Sequence, residues 1–219
     1  MNCSCCQNVN DLDNTFDLES AREEAADYRQ KGLSKRERKF VALFAGRLSD
    51  SADLLEVGGG AGAIQHELLR DGKIQHVTGI DASSGYLTAA GENAEHFELA
   101  DRVDYRHADF ALDDGQVDSA ELVILDRVIC CYPDLDSLLG KAATRASNLL
   151  AISYPIDRWY TRTVVAVINA GLTLFGSGYH PYVHRQEDID EIAANAGLKP
   201  AATVRHTFWR HQLYERIPT

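Results

Sequence analysis

The chain has 219 residues; 22 Lys and Arg against 33 Asp and Glu leave a formal charge of −11, and apolar residues make up 45%. That length and an average apolar content exclude a collagen, a disordered tail and a long coiled coil, and favour one folded core. The acidic balance argues against a partner held by neutralising phosphates, so no nucleic acid is expected.

In chain order, residues 1–14 read as a mobile polar arm carrying Cys3, Cys5 and Cys6. The arm has no basic n-region and no apolar h-region, so a secretory signal is not expected. With Cys130 and Cys131 the cysteines number five, in two tight clusters. An odd, clustered set suits reduced thiols and a cytoplasmic location, and the arm lacks the partners a four-ligand zinc site needs, so no metal is expected. From Phe16 a helical stripe of Phe16, Leu18, Ala21, Ala25 and Tyr28 runs to Gly32. Ser34 with Glu37 three residues on forms a capping box, and Phe40, Val41, Leu43, Phe44 and Leu48 follow at helical spacing. Residues 15–50 are thus a helical preamble.

After Asp50 the period changes. Short apolar runs appear at 53–57, 76–80, 103–107, 121–126 and 149–153, with intervening segments long enough for crossover helices, the last from Asp136 to Ser147. Runs apolar enough to be covered on both faces, alternating with helices, predict an α/β fold with a doubly wound, mostly parallel sheet. Asp157 to Phe175 reads as an apolar helix inserted before the last strands, too short and too interrupted by Asn169 and Thr173 to span a bilayer. Its apolar character makes a greasy substrate pocket an expectation. Arg185 to Ala196 reads as a shorter helix, and 201–206 and 208–217 alternate as two final strands.

The first strand runs into a glycine-rich turn, LLEVGGGAGAIQHELL, with Gly58, Gly60 and Gly62 at alternate positions. Such a turn lets a nucleotide-like ligand lie against bare backbone at a helix start; with Ala63 it also satisfies a dinucleotide fingerprint. Three acids add information. Asp81, followed by Ala82, ends the second strand, where a carboxylate accepts from ribose hydroxyls. Asp109, followed by Phe110, lies after the third strand on the adenine side, and Glu56 precedes the glycines. Several carboxylates suit a cationic sulfonium better than a pyrophosphate, which favours S-adenosylmethionine.

With LLEVGGGAG, Asp81, the ADF motif and LVILDRVICCYPD, residues 50–217 resemble the class I S-adenosylmethionine-dependent methyltransferases. The resemblance implies a seven-stranded sheet whose last strand is antiparallel, and places Asp126 and Arg127 beside the methionine moiety. It divides the chain into an arm at 1–14, a helical lid at 15–50 and a methyltransferase domain at 51–219. The VICCYP loop and the preamble look most like small-molecule O- or C-methyltransferases, distantly including the magnesium-protoporphyrin enzymes, where a His stands in the place of Cys131. The preamble resembles an arm closing over cofactor and substrate, which puts Tyr28 near the site.

Methyl transfer from a sulfonium is an in-line displacement in which positioning dominates, and a base is needed only for a protonated acceptor. His180, His184, Tyr132 and Tyr28 are the nearest base candidates. The expected partner is a small-molecule acceptor. Two rival readings are a nicotinamide-dependent oxidoreductase, disfavoured by the long preamble, and a module that binds cofactor without catalysis.

Overall fold

The computed structural model describes residues 16–112 and 117–218. The cysteines of the arm lie outside them. Seven strands form one sheet in the order β3-β2-β1-β4-β5-β7-β6. The strands are β1 (Asp53–Val57), β2 (His76–Asp81), β3 (Val103–His107), β4 (Ala120–Asp126), β5 (Ala146–Pro155), β6 (Leu198–Arg205) and β7 (Trp209–Arg216). Only β7 runs against the rest, antiparallel to both β5 and β6. The α/β, doubly wound, mostly parallel expectation holds.

Helices cover both faces. They are α1 (Leu18–Lys31), α2 (Lys35–Val41), α3 (Ala63–Arg70), α4 (Ser84–His96), α5 (Leu135–Arg145), α6 (Trp159–Leu174) and α7 (Gln186–Asn195). The two-residue period of the strands decides which core each side chain joins. Leu55, Val57, Val123, Leu125, Leu150 and Ile152 are buried against α5 and α7. Their neighbours Leu54, Leu122, Ile124, Leu149 and Ala151 are buried on the other face with Phe40 and Phe44 of the preamble. Full burial of one such side chain contributes about 1.5–3 kcal/mol, so both layers hold the sheet rigid.

The preamble is part of this packing. Asp17 caps α1 and Gly32 ends it at φ 67°. Ala21 and Ala25 are small enough to bring α1 against Ala61 and Ala89 of the glycine turn and α4. The Ser34–Glu37 capping box is formed. The helical spacing predicted beyond it is not sustained: α2 stops at Val41, and a turn and a 3-10 segment at Ala45–Arg47 follow. Phe44 is fully buried there, so the chain bends to follow the sheet instead of continuing straight. β5 begins at Ala146, inside the predicted helix end, because Ala146 pairs with Ala120. Between β3 and β4 no crossover helix occurs among the described residues.

Candidate active site

The sheet reverses its winding between β1 and β4, and a crevice opens at the carboxyl ends of strands at such a point. There a cavity of about 530 Å³ reaches from the glycine turn to the inner face of α6. Gly58, Gly60, Asp81, Ala82, Asp109 and Phe110 line one end. Asp126, Arg127 and Tyr132 line its middle, and Val165, Ile168, Pro155, Trp209 and Tyr179 its far wall.

The glycine turn requires its glycines. Gly58 has φ 65°, and a β-carbon there would lie 2.5 Å from Val128 Cγ2. Gly62 opens α3 in the left-handed region, and a β-carbon there would meet the His66 ring at 2.4 Å. Asp81 ties this turn to the next helix: Gly60 N donates to Oδ2 at 3.3 Å and Ser83 N to Oδ1 at 2.9 Å. Helix capping itself falls to Ser83, whose hydroxyl accepts from Tyr86 N. Burial pushes the Asp81 carboxyl up to about 6, against the hydrogen bonds that favour its charge.

Asp109 is nearly buried; its Oδ1 accepts from Ala111 N at 3.0 Å and its Oδ2 from the Tyr132 hydroxyl at 3.1 Å. Tyr132 therefore orients an acid and is not a free base. Asp126, at the end of β4, receives both Arg36 nitrogens at 2.7 and 2.6 Å. Burial opposes its ionisation, yet the Arg36 hydrogen bonds and charge, helped by Ser153, hold its carboxyl below the usual range. Arg127 adopts φ 63°, rare for a side chain with a β-carbon, and its N donates to Ser153 Oγ at 2.9 Å.

Glu56 lies just outside the lining, 2% exposed, with Oε2 unpartnered among the described residues. Burial first, then the charges of Asp126 and Asp81, raises its carboxyl well above the usual range. A buried acid crowded by two others is stabilised by a positive group arriving in the adjoining cavity. Together with a backbone cradle that a β-carbon would fill, this orphaned oxygen fits a cationic adenosyl cofactor.

Of the other sequence candidates, Gly62 shapes the turn without lining the cavity, and the histidines and Tyr28 stand elsewhere. His184 Nε2 donates to the carbonyls of Ile129 at 2.8 Å and Tyr132 at 3.2 Å, pinning the 177–185 segment to the β4 exit. His180 Nε2 bonds Thr173 Oγ1 at 2.9 Å. Tyr28 is buried, donates to Glu67 Oε2 at 3.0 Å and meets the Phe97 ring at 5.5 Å, so it belongs to the core and not to the cavity wall. From the preamble it is Phe16 and Glu24 that reach the cavity. Phe16 stands edge-on to both Tyr86 at 6.1 Å and Tyr179 at 5.6 Å.

Sequence reasoning missed Phe16, Glu24, Arg36, Tyr86 and Tyr179, which lie far from the motifs in the chain. Of the two cysteines it singled out only Cys131, as standing in the place of a family His. Cys131 in fact faces the cavity, with Sγ 3.2 Å from the Tyr179 hydroxyl and 3.9 Å from Cys130 Sγ. The Cys130 hydrogen bond, then that of Tyr179 and the Arg127 charge, lower its thiol to about 7 against the effect of burial. No group of three or more metal-ligating side chains occurs among the described residues.

Residues 48–161, just over half of the chain, match the family described as Methyltransferase domain. The chain belongs to this family. As a class I methyltransferase it is an enzyme with S-adenosylmethionine as donor, and nothing in fold or family favours the oxidoreductase or the inactive-module reading. The fold is similar to that of magnesium protoporphyrin IX methyltransferase from Synechocystis PCC 6803 with bound SAH. That pair has a TM-score of 0.71 and 17% identity, over 95% of this chain and 99% of that one. An O-methyltransferase family protein from Burkholderia thailandensis gives 0.71 at 16%, over 98% of this chain and 64% of that one. Geranyl diphosphate C-methyltransferase from Streptomyces coelicolor A3(2) gives 0.65 at 15%, over 83% and 79%. At such identities the likeness is one of fold. No curated protein sequence matches the chain.

Proposed function

We propose that this methyltransferase acts on a small, apolar acceptor seated between the glycine turn and α6. The observation that carries the reading is the polarity of this cavity: carboxylates and bare backbone at the β1–β3 ends, aliphatic and aromatic walls at α6. Asp81 holds the ribose, with Ala82 beside it. Asp109 and Phe110 flank the adenine, Gly58 and Gly60 admit the donor's backbone-hugging portion, and Asp126 and Arg127 border the methionine. Glu56 compensates positive charge from behind the turn.

When bound, the donor would supply a sulfonium methyl group for transfer to an aligned nucleophile, with the neutral thioether S-adenosylhomocysteine as leaving group. What the chain contributes is position: holding the two atoms in line supplies about 7–11 kcal/mol of the barrier. Phe16 and Tyr179 meet edge-on at the cavity, and Val165, Ile168, Pro155 and Trp209 offer the acceptor an apolar wall. His180, His184 and Tyr28 have no part in proton transfer in this scheme. Cys131 lines the cavity beside Tyr179 of the acceptor wall, and a reduced Cys130–Cys131 pair suits a cytoplasmic location. The lid of the sequence reading narrows to Phe16 and α1, since Phe40 and Phe44 are core residues.

Calorimetry with S-adenosylhomocysteine, followed by a donor-consumption assay against matched lipophilic and polar acceptors, tests this. Saturation at 100 times the dissociation constant stabilises the fold by about 2.7 kcal/mol. Turnover confined to the polar acceptors would overturn the acceptor assignment while leaving the cofactor assignment intact.

A further inference from the structure

A second cavity of about 300 Å³ opens between the start of α6 and the β6–β7 hairpin, outside the methyl-transfer site. Arg158, Arg205, Arg210 and His206 line it, with Asp157 as the acid on its wall. Asp157 is held by Arg162 at 2.6 Å. Arg158 and Arg205 are exposed, and no hydrogen bond or ion pair to either guanidinium is found among the described residues. Two buried nitrogens of the same group, Arg210 Nε and His206 Nε2, also lack a partner there. In a chain of net charge −11, three guanidinium groups around one recess reverse the local sign. Such a cluster is stabilised by an anion that accepts several charge-assisted hydrogen bonds, as a phosphate group does.

Next to this recess α6 leaves an apolar face uncovered. Trp159, Val167 and Leu174 are 78%, 67% and 81% exposed, Phe175 is 88%, and Phe208 at the hairpin tip is 42%. Helical spacing puts Trp159, Thr163, Ala166, Val167, Ala170 and Leu174 on one stripe without a charge. Tyr160 donates to Thr207 O at 2.8 Å, which ties the helix start to the hairpin. Aromatic side chains beside arginines above an apolar stripe have the composition of a helix lying in a lipid headgroup layer. A second copy would bring the same apolar and basic surface, and so no anion for the arginines.

We propose that this surface docks on an anionic lipid bilayer, with a lipid phosphate in the arginine recess and the outer stripe of α6 in the headgroup boundary. At 0.15 M salt the Debye length is about 8 Å, so the chain's overall negative charge is screened while contacts inside the recess are not. The opposite face of α6 carries Val165 and Ile168 into the methyl-transfer cavity, so the docked helix stands between the bilayer and the acceptor wall. The inference does not depend on the acceptor being apolar.

The test is sedimentation of the full-length protein with phosphatidylglycerol–phosphatidylcholine vesicles, with phosphatidylcholine vesicles alone, and calorimetry with inorganic phosphate. The expected result is binding to the mixed vesicles at least tenfold tighter than to phosphatidylcholine. Arg158→Glu with Arg205→Glu, and separately Val167→Asp with Leu174→Asp, each lose it at unchanged melting temperature and unchanged S-adenosylhomocysteine affinity. Quenching of tryptophan emission by brominated lipid supplies a readout on the unmodified protein. Saturation by inorganic phosphate with no vesicle binding would assign the recess to a soluble anion and overturn the proposal. So would no binding in either arm, or a dimer that Val167→Asp with Leu174→Asp dissolves.

Discussion

The two ends of the methyl-transfer cavity are built differently. The end at β1–β3 is made by residues within a few positions of strand ends, fixed by backbone hydrogen bonds such as Gly60 N and Ser83 N to Asp81. The end at α6 is made by side chains from Phe16 to Trp209, held by ring contacts and apolar packing. A polar end defined by backbone tolerates almost no change in shape, whereas an apolar wall of distant side chains tolerates change in size. A common donor and a variable acceptor ask for that division.

Mutations at the two ends can break or sharpen this contrast. The largest effect is expected at the junction: Arg36→Met leaves Asp126 buried with Ser153 as its remaining partner, and should cost about 2–4 kcal/mol of stability in denaturant unfolding. An unchanged midpoint would mean that the preamble is not anchored to the cofactor end. Gly58→Ala forces a left-handed residue against Val128 and should weaken S-adenosylhomocysteine about 100-fold by calorimetry. Full retention would separate the turn from the donor.

Asp81 gives a pH signature. Its folded carboxyl sits near 6 against an ordinary value of 3.8, so the folded state binds more protons between those values. The stability this group contributes is therefore full below about pH 4 and lost as pH rises through about 6. Asp81→Asn should then stabilise the free protein by about 1–3 kcal/mol at pH 7, with the gain fading as pH falls from about 6 to about 4, while weakening S-adenosylhomocysteine about tenfold. Thermal melts across pH with and without ligand check both signs.

At the opposite end the effect is smaller and confined to the acceptor. Ile168→Asn should raise KM for a lipophilic acceptor about tenfold, close to 1.4 kcal/mol, with donor affinity unchanged. A matching loss of donor affinity would show the two ends to be one unit. Smallest of all, Cys131→Ser should change kcat less than about threefold if positioning and not proton transfer limits the reaction. A loss of 100-fold would make that thiol a working acid or base.

Much of the polar end was legible in the chain itself. β1 and β3 fall on the predicted residues, the capping box of α2 forms, and Gly58, Gly60, Asp81, Ala82, Asp109, Phe110, Asp126 and Arg127 meet on one cavity. Apart from Asp126 and Arg127, which only the family resemblance pointed to, these follow from local rules, since a strand end, a turn and the next helix start are neighbours in sequence. Tyr28 and the two histidines did not follow, because the Glu67 carboxylate, the Thr173 hydroxyl and the Ile129 carbonyl claimed their polar atoms. Arg36 lies 90 residues from Asp126, and no local pattern pairs them.

The amino-acid order alone determined the alternation of strands and helices, the backbone-defined nucleotide cradle and the acids at successive strand ends, because periodicity and turn chemistry act over a few residues. The tertiary structure alone decided which aromatic and aliphatic side chains close the acceptor wall, which carboxylates keep their charge, and where arginines gather beside an uncovered helix. Those outcomes depend on distances and burial between segments far apart in the chain, which no local preference encodes.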